Sequence, residues 1–141
     1  MAGIGLKGAM KISRLSSGSS FEAVAGYSRA IVVDHDGYAE VLISGVTGFN
    51  YATMAIDEDA ATQAHQCFAN IANVLAQAGG GLEHVVRVRY LLTEASQFET
   101  LAPIFGEHLG SARPAATAVV CGLVDARMKL EIEIDARIPR G

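Results

Sequence analysis

The hydrophobic and polar positions of this chain follow two periods, separated by clear punctuation. In the last stretch Met128, Leu130, Ile132 and Ile134 alternate with Lys129, Glu131, Glu133 and Asp135. Alternation of this kind belongs to a strand with one face in a core and the other outside it. Just upstream, Ala115, Ala116, Thr117, Ala118, Val119, Val120 and Cys121 are apolar or small at every position. Such a run predicts a strand covered on both faces.

Earlier segments read in the same way. Residues 12–16 form a weak strand candidate that ends in a serine-rich turn. Residues 27–33 form a stronger one, and Asp34-His35-Asp36-Gly37 supplies an Asp-Gly hairpin turn leading back into residues 38–44. Gly45-Val46-Thr47-Gly48 is expected to break that strand, with a polar loop after it. Asp57 or Asp59 then caps a helix whose apolar stripe is Ala64, Cys67, Phe68, Ile71, Val74, Leu75 and Ala78. Gln63, Gln66, Asn70, Asn73 and Gln77 fill its opposite face, and Gly79-Gly80-Gly81 stops it.

Residues 85–92 alternate again, with Val86, Val88, Tyr90 and Leu92 against Arg87 and Arg89. A second helix starts near Ala95, capped by Thr93 or Ser96, with the stripe Phe98, Leu101, Phe105 and Leu109. The order β-β-β-α-β-α-β-β predicts an α+β fold: a single six-stranded mixed sheet with two helices on one face. Residues 11–141 are expected to form one domain after a flexible N-terminal extension over residues 1–10. Two helices cover only one face of such a sheet. The other face would leave Ala115, Thr117, Val119 and Cys121 in water beside Arg87, Arg89 and Glu131. Apolar surface of that extent drives association at roughly 25 cal/mol per Å². The expectation is a homo-oligomer packed sheet face on sheet face, with a small-molecule site at the subunit boundary.

Composition narrows the function classes. Of 141 residues, 50% are hydrophobic and 18% charged, and the formal net charge is -4. Mean hydropathy is +0.29, high for a soluble monomer. The acidic balance and the lack of a basic cluster make nucleic acid an unfavoured partner. No apolar run approaches the ~20 residues that span a bilayer, so no membrane partner is expected and the cytoplasm is the default compartment. Cys67 and Cys121 lie in apolar-periodic segments, the setting of structural cysteine. His35, His65, His84 and His108 show no paired metal-ligand spacing and read as surface or helix-end residues, so no metal is expected.

The candidates for chemistry are Tyr27, Ser44, Gly45, Arg87, Arg89, Thr117 and Glu131. Tyr27 is either a core-edge residue or a hydroxyl reaching a cleft. Glu131 and Glu133 fit cross-strand pairing with Arg87, Arg89 or Lys129. Periodicity alone favours that pairing; a carboxylate held on an oligomer-facing surface also fits a general acid or base, or a group that positions water.

Several of these segments, taken in order, resemble one family. Ala25-Gly26-Tyr27-Ser28-Arg29-Ala30, Ile43-Ser44-Gly45, the helix through Asn70-Ile71 to Ala78, Val85-Val86-Arg87, Arg113-Pro114-Ala115 and Lys129-Leu130-Glu131-Ile132-Glu133 are similar to the Rid/YjgF/L-PSP reactive-intermediate deaminases. The resemblance implies a chorismate-mutase-like fold, a homotrimer around a central barrel and three clefts between subunits. It also implies hydrolysis of enamines and imines without a cofactor. In such members a Tyr and a Gly of the early strands line the cleft, matching Tyr27 and Gly45. A Glu that positions the attacking water matches Glu131. The arginine that grips the substrate carboxylate falls on Ala116 (or on Ala115 if the alignment slips by one), and a cysteine two residues further on falls on Ala118.

Losing a forked guanidinium–carboxylate contact removes about 2–4 kcal/mol, and alanine cannot replace its geometry. Arg89 or Arg87 is the first candidate to supply the charge, with Arg113 and Arg127 behind; otherwise the substrate carries no carboxylate. The resulting expectation is a diverged Rid-type hydrolase or deaminase. Glu131 and Tyr27 would be catalytic, with Ser44, Gly45, Arg89, Ala116 and Thr117 binding substrate and no cofactor or metal involved. A non-catalytic metabolite-binding trimer is the alternative, and endoribonuclease or translation-inhibitor activity is less favoured.

Overall fold

Asp36-Gly37, with Gly37 at φ 87°, makes the tight turn between β2 (Ala30–His35) and β3 (Tyr38–Thr47). An Asp-Gly pair favours this geometry because glycine enters the left-handed region without a Cβ penalty. The computed structural model describes residues 10–141. Most of the extension expected over residues 1–10 therefore lies outside the described residues.

β1 (Lys11–Leu15) pairs with β2, and the sheet continues through β3, β8 (Leu130–Pro139), β6 (Val85–Leu92) and β7 (Ala115–Val120). All neighbours are antiparallel except β6 and β7, which run parallel. β4 (Phe49–Asn50) and β5 (Ala55–Ile56) form a separate ribbon. The expected six-stranded mixed sheet is thus present. Its main helices are α2 (Ala60–Gln77), capped by Asp59 through Thr62 N–H, and α3 (Gln97–Leu109).

Alternation places the core. Val41, Ile43, Ile132, Ile134 and Ile138 are buried on the helix side, against Phe68, Ile71 and Leu75 of α2. Each such side chain contributes roughly 1.5–3 kcal/mol by leaving water. Tyr90 stacks on Phe105 with ring centroids 3.9 Å apart, joining β6 to α3. Burial also pushes the Tyr90 hydroxyl up to about 12, so it stays protonated.

Several expectations need correction. The serine-rich stretch is followed by a short helix, α1 (Ser20–Ala25), capped by Ser19 and ended by Gly26 at φ 75°. Tyr27 therefore follows a helix cap, and the strand expected from residue 27 starts at Ala30. Gly45 does not end β3, which continues to Thr47 through a bulge. Gln63, assigned to the polar face of α2, is fully buried. Its Nε2 donates to Asp57 O (2.7 Å) and Arg127 O (2.9 Å), and its Oε1 accepts from Lys129 N (2.9 Å).

Val86 lies in an irregularity of β6 and is exposed, so Val85, Val88, Tyr90 and Leu92 form the inward face. β7, expected to be covered on both faces, is an edge strand exposed along its whole length in the single chain. The helix-free face of the sheet carries Leu42 and Val119, 40% and 46% exposed.

Candidate functional site

The bulge in β3 builds the site. Pairing passes from Ile43↔Ile134 to Val46↔Ile132, so Ser44 and Gly45 together face Glu133 of β8. A two-against-one irregularity bends the strand and takes carbonyls out of the ladder. Arg29 Nη1 uses them, donating to Gly45 O (2.9 Å) and Ser44 O (3.3 Å). Ser44 ties down the same entry to β2, its N–H donating to Arg29 O (3.0 Å) and its Oγ to Ser28 O (2.6 Å). Tyr27, whose N–H donates to Glu22 O (2.9 Å), lines a cleft together with Ser44 and Gly45.

Glu131 completes the group. It stands opposite Thr47, and its side chain lies flat against Gly45. A Cβ at position 45 would come within 2.7 Å of Glu131 Cδ and 3.0 Å of Cγ. Glycine is therefore required by the carboxylate's close approach; the Gly45 backbone lies outside the left-handed region. Tyr27, Ser44, Gly45 and Glu131 line one cleft of about 860 Å³, together with Glu133 and Arg14. A second cleft of about 710 Å³ shares Tyr27, Gly45 and Glu131 and adds Arg29, Thr47 and Tyr51. Tyr51 Oη lies 3.2 Å from both Thr47 N and Thr47 Oγ1.

The electrostatics set Glu131 apart from an ordinary surface glutamate. Burial raises its pKa above the usual range and the Glu133 charge raises it further, while Arg29 pulls it partly back. Arg29 itself is only 2% exposed, with its guanidinium 5.0 Å from the Tyr51 ring centroid and 6.0 Å from that of Tyr27. Its Nε is buried without a hydrogen-bond partner. Burial raises the pKa of the Cys67 thiol, and its Sγ lies 3.5 Å from Val46 O, a structural placement.

Four of the seven site residues expected from sequence, Tyr27, Ser44, Gly45 and Glu131, meet within one chain. The other three do not join them. Arg89 stands across from Glu133, with a guanidinium–carboxylate distance of 3.8 Å, and lines neither cleft. Ala116 and Thr117 border a shallow depression of about 230 Å³ with Tyr90, Phe98 and Phe105. Sequence reasoning passed over Arg29 and Arg14 as site residues. An arginine set directly before the apolar run Ala30-Ile31-Val32-Val33 was the available signal for Arg29, because a charge in that position must find partners. For Arg14 no pattern in the strand gave one.

These features define a class: an α+β fold with a carboxylate laid over a glycine bulge, in a cleft that a tyrosine also lines. The chain belongs to the endoribonuclease L-PSP family, the Rid/YjgF group, whose family model matches residues 17–138. It is 31% identical to a YjgF/YER057c/UK114-family protein from Mycobacterium tuberculosis, Rv2704. That match covers 91% of this chain and 100% of the other, with a TM-score of 0.77. RidA from the Antarctic bacterium Psychrobacter sp. PAMC 21119 is 32% identical over 89% of this chain and 94% of its own, with a TM-score of 0.74. The 2-iminobutanoate/2-iminopropanoate deaminase of Bos taurus is 28% identical over 84% of this chain and 85% of its own length. Among the described residues no helix is long and apolar enough to cross a membrane.

Proposed function

We propose that the chain is a diverged Rid-type hydrolase that removes ammonia from a small imine or enamine in the cleft over Glu131. The observation that carries this reading is the Glu131 carboxylate itself. It is half-buried, packed on Gly45, open to the cleft beside Tyr27, and more basic than a free glutamate. A carboxylate in that state can accept a proton from water as the water adds to the C=N carbon. The Tyr27 hydroxyl would contact the substrate, a role supported by the place of Tyr27 in the lining of the same cleft. Glu131 returns that proton to the nitrogen of the carbinolamine so formed, which then loses ammonia as the C–N bond breaks and leaves a carbonyl product.

Substrate charge follows from the same geometry. Glu131 and Glu133 both line the cleft, and Arg29 is occupied by the Ser44 and Gly45 carbonyls. With alanine at position 116, the forked carboxylate grip of the familiar deaminases is missing. A neutral imine that becomes a protonated iminium suits two carboxylates better than a 2-imino acid does. Assembly as a homotrimer, bringing β7 with Ala116 and Thr117 of one subunit toward the cleft of the next, would cover the apolar sheet face and close the site.

The test is an ammonia-release assay on freshly generated 2-aminoacrylate and on carboxylate-free imines, run on the wild type, Glu131→Gln and Arg14→Ala. Turnover of the neutral compounds is expected to fall by at least about 100-fold in Glu131→Gln. The sedimentation profile should not change. Arg14→Ala should retain that turnover. Equal activity in Glu131→Gln would refute the catalytic role and leave a metabolite-binding protein as the reading. Preferential turnover of 2-aminoacrylate that is lost in Arg14→Ala would instead mark Arg14 as a relocated carboxylate anchor.

A further inference from the structure

α2 and α3 lie side by side on the helix-covered face of the sheet, and two histidines from different parts of the chain meet along their contact. His65 Nδ1 and His108 Nε2 are 2.9 Å apart. The Glu107 carboxylate joins them, and one ligand atom from each of the three residues falls within 4.8 Å of the others. The His108 ring is stacked on Phe68, with centroids 4.4 Å apart and planes 14° from parallel, so its edge is held toward His65. His65 and Glu107 are exposed, which leaves the group accessible from solvent.

We propose that His65, Glu107 and His108 form a binding site for a borderline divalent transition-metal ion of the Zn²⁺ type, clamping α2 to α3. Two imidazole nitrogens and one carboxylate oxygen suit zinc, nickel or copper, whereas magnesium and calcium prefer all-oxygen sites. Ligands about 2.0–2.2 Å from a tetrahedral ion stand about 3.4 Å from one another. The histidine pair would therefore open by about half an ångström, a small rotation of the exposed His65. Three protein ligands leave the fourth position to water. Because α2 and α3 cover the sheet face away from the Glu131 carboxylate, the ion acts on the packing of the two helices and the cleft chemistry does not need it.

The experiment uses the full chain without any added histidine tag, dialysed against a chelator. Calorimetric titration with Zn²⁺ should give one ion per chain. At a free concentration of 100 times Kd, Tm should rise by about 5 °C or more. His65→Ala, at an exposed position, should keep the metal-free Tm and lose affinity by more than about tenfold, since even groups that only support a ligand cost that much. Glu107→Gln should weaken binding in the same direction. Co²⁺ should give the absorption of a nitrogen–oxygen site without a thiolate charge-transfer band. Unchanged Zn²⁺ affinity in His65→Ala, an equal Tm rise with Mg²⁺, or a thiolate band from Cys121 would each overturn the proposal.

Discussion

Gly45→Ala isolates the contact on which the site depends. The added methyl group would stand 2.7 Å from Glu131 Cδ and 3.0 Å from Cγ, and the nearest atoms it meets all belong to that one side chain. The backbone at Gly45 does not occupy the left-handed region, so alanine suffers no conformational penalty there. The whole cost must come from displacing Glu131. Overpacking of this kind costs about 1–3 kcal/mol, and part of it appears as an off-rotamer glutamate. At about 4 °C per kcal/mol for a chain of this size, Tm should fall by roughly 4–12 °C.

In a Glu131→Ala background the obstacle is gone. Gly45→Ala should then be neutral, or stabilising by about 0.4–1 kcal/mol through the unfolded chain. Urea denaturation of the four proteins at one fixed concentration gives a double-mutant cycle with an expected coupling of at least about 1 kcal/mol. An equal cost of Gly45→Ala in both backgrounds would show that the carboxylate does not rest on the glycine, and the geometry argued for the site would fail.

Two glutamates should respond to pH in opposite directions. The folded pKa of Glu131 is raised by burial and by Glu133, so the fold favours protonated Glu131; that stability is present in acid and is lost as pH rises through the raised value, where the ionised form destabilises the fold. Glu131→Gln should accordingly be more stable than wild type near neutrality, and the gain should vanish in acid. Burial would raise the Glu22 pKa, but hydrogen bonds from Ser16 and Ser17 and the charge of Arg29 outweigh it, and the net shift is downward. Glu22→Gln should be less stable near neutrality, with the loss shrinking as pH falls through the depressed value. Equal pH profiles for the two variants would contradict both assignments. A further expectation concerns assembly: Val119→Asp puts an unpaired charge on the exposed edge strand, at a cost of about 3 kcal/mol or more if that face is buried between subunits. Sedimentation should shift toward monomer, and an unchanged mass would exclude β7 from the interface.

What was legible in the sequence was what repeats. The alternation of residues 128–135 fixed which side of β8 enters the core, and the stripe from Ala64 to Ala78 placed α2 against it. Relations that join one residue to another across the sheet carry no period. Gly45 looked like a strand breaker because glycine usually is one, whereas the pairing shift from Ile43 to Val46 makes it the gap into which Glu131 fits. Gln63 followed the polar face of α2 by spacing, yet it satisfies three backbone groups of two loops in the interior. His65 and His108 are 43 residues apart, so no spacing rule could pair them. β7 is the strand its apolar run predicts, but the cover expected on both of its faces is not found in the single chain, where both are exposed.

The same distinction bears on the chemistry. Alanine at position 116 can be read directly, but its consequence depends on where the remaining cations lie. Arg29 is the best-shielded of them, yet its Nη1 is committed to the Ser44 and Gly45 carbonyls, so it shapes the bulge that carries Glu131. Arg89 faces Glu133 at 3.8 Å with nearly half of its side chain in solvent, a weak pair that only partly offsets the carboxylate. Arg127 forms two short contacts to Asp125, the closer at 2.8 Å, and the pair holds the Asp125 carboxyl down to about 2. Arg14 enters the cleft from β1 with a long, exposed side chain. A rigid anchor for a substrate carboxylate needs a guanidinium that is both free and held in place. None of these arginines meets both conditions, and this is the ground for proposing a substrate recognised through its C=N group over one recognised through an acid.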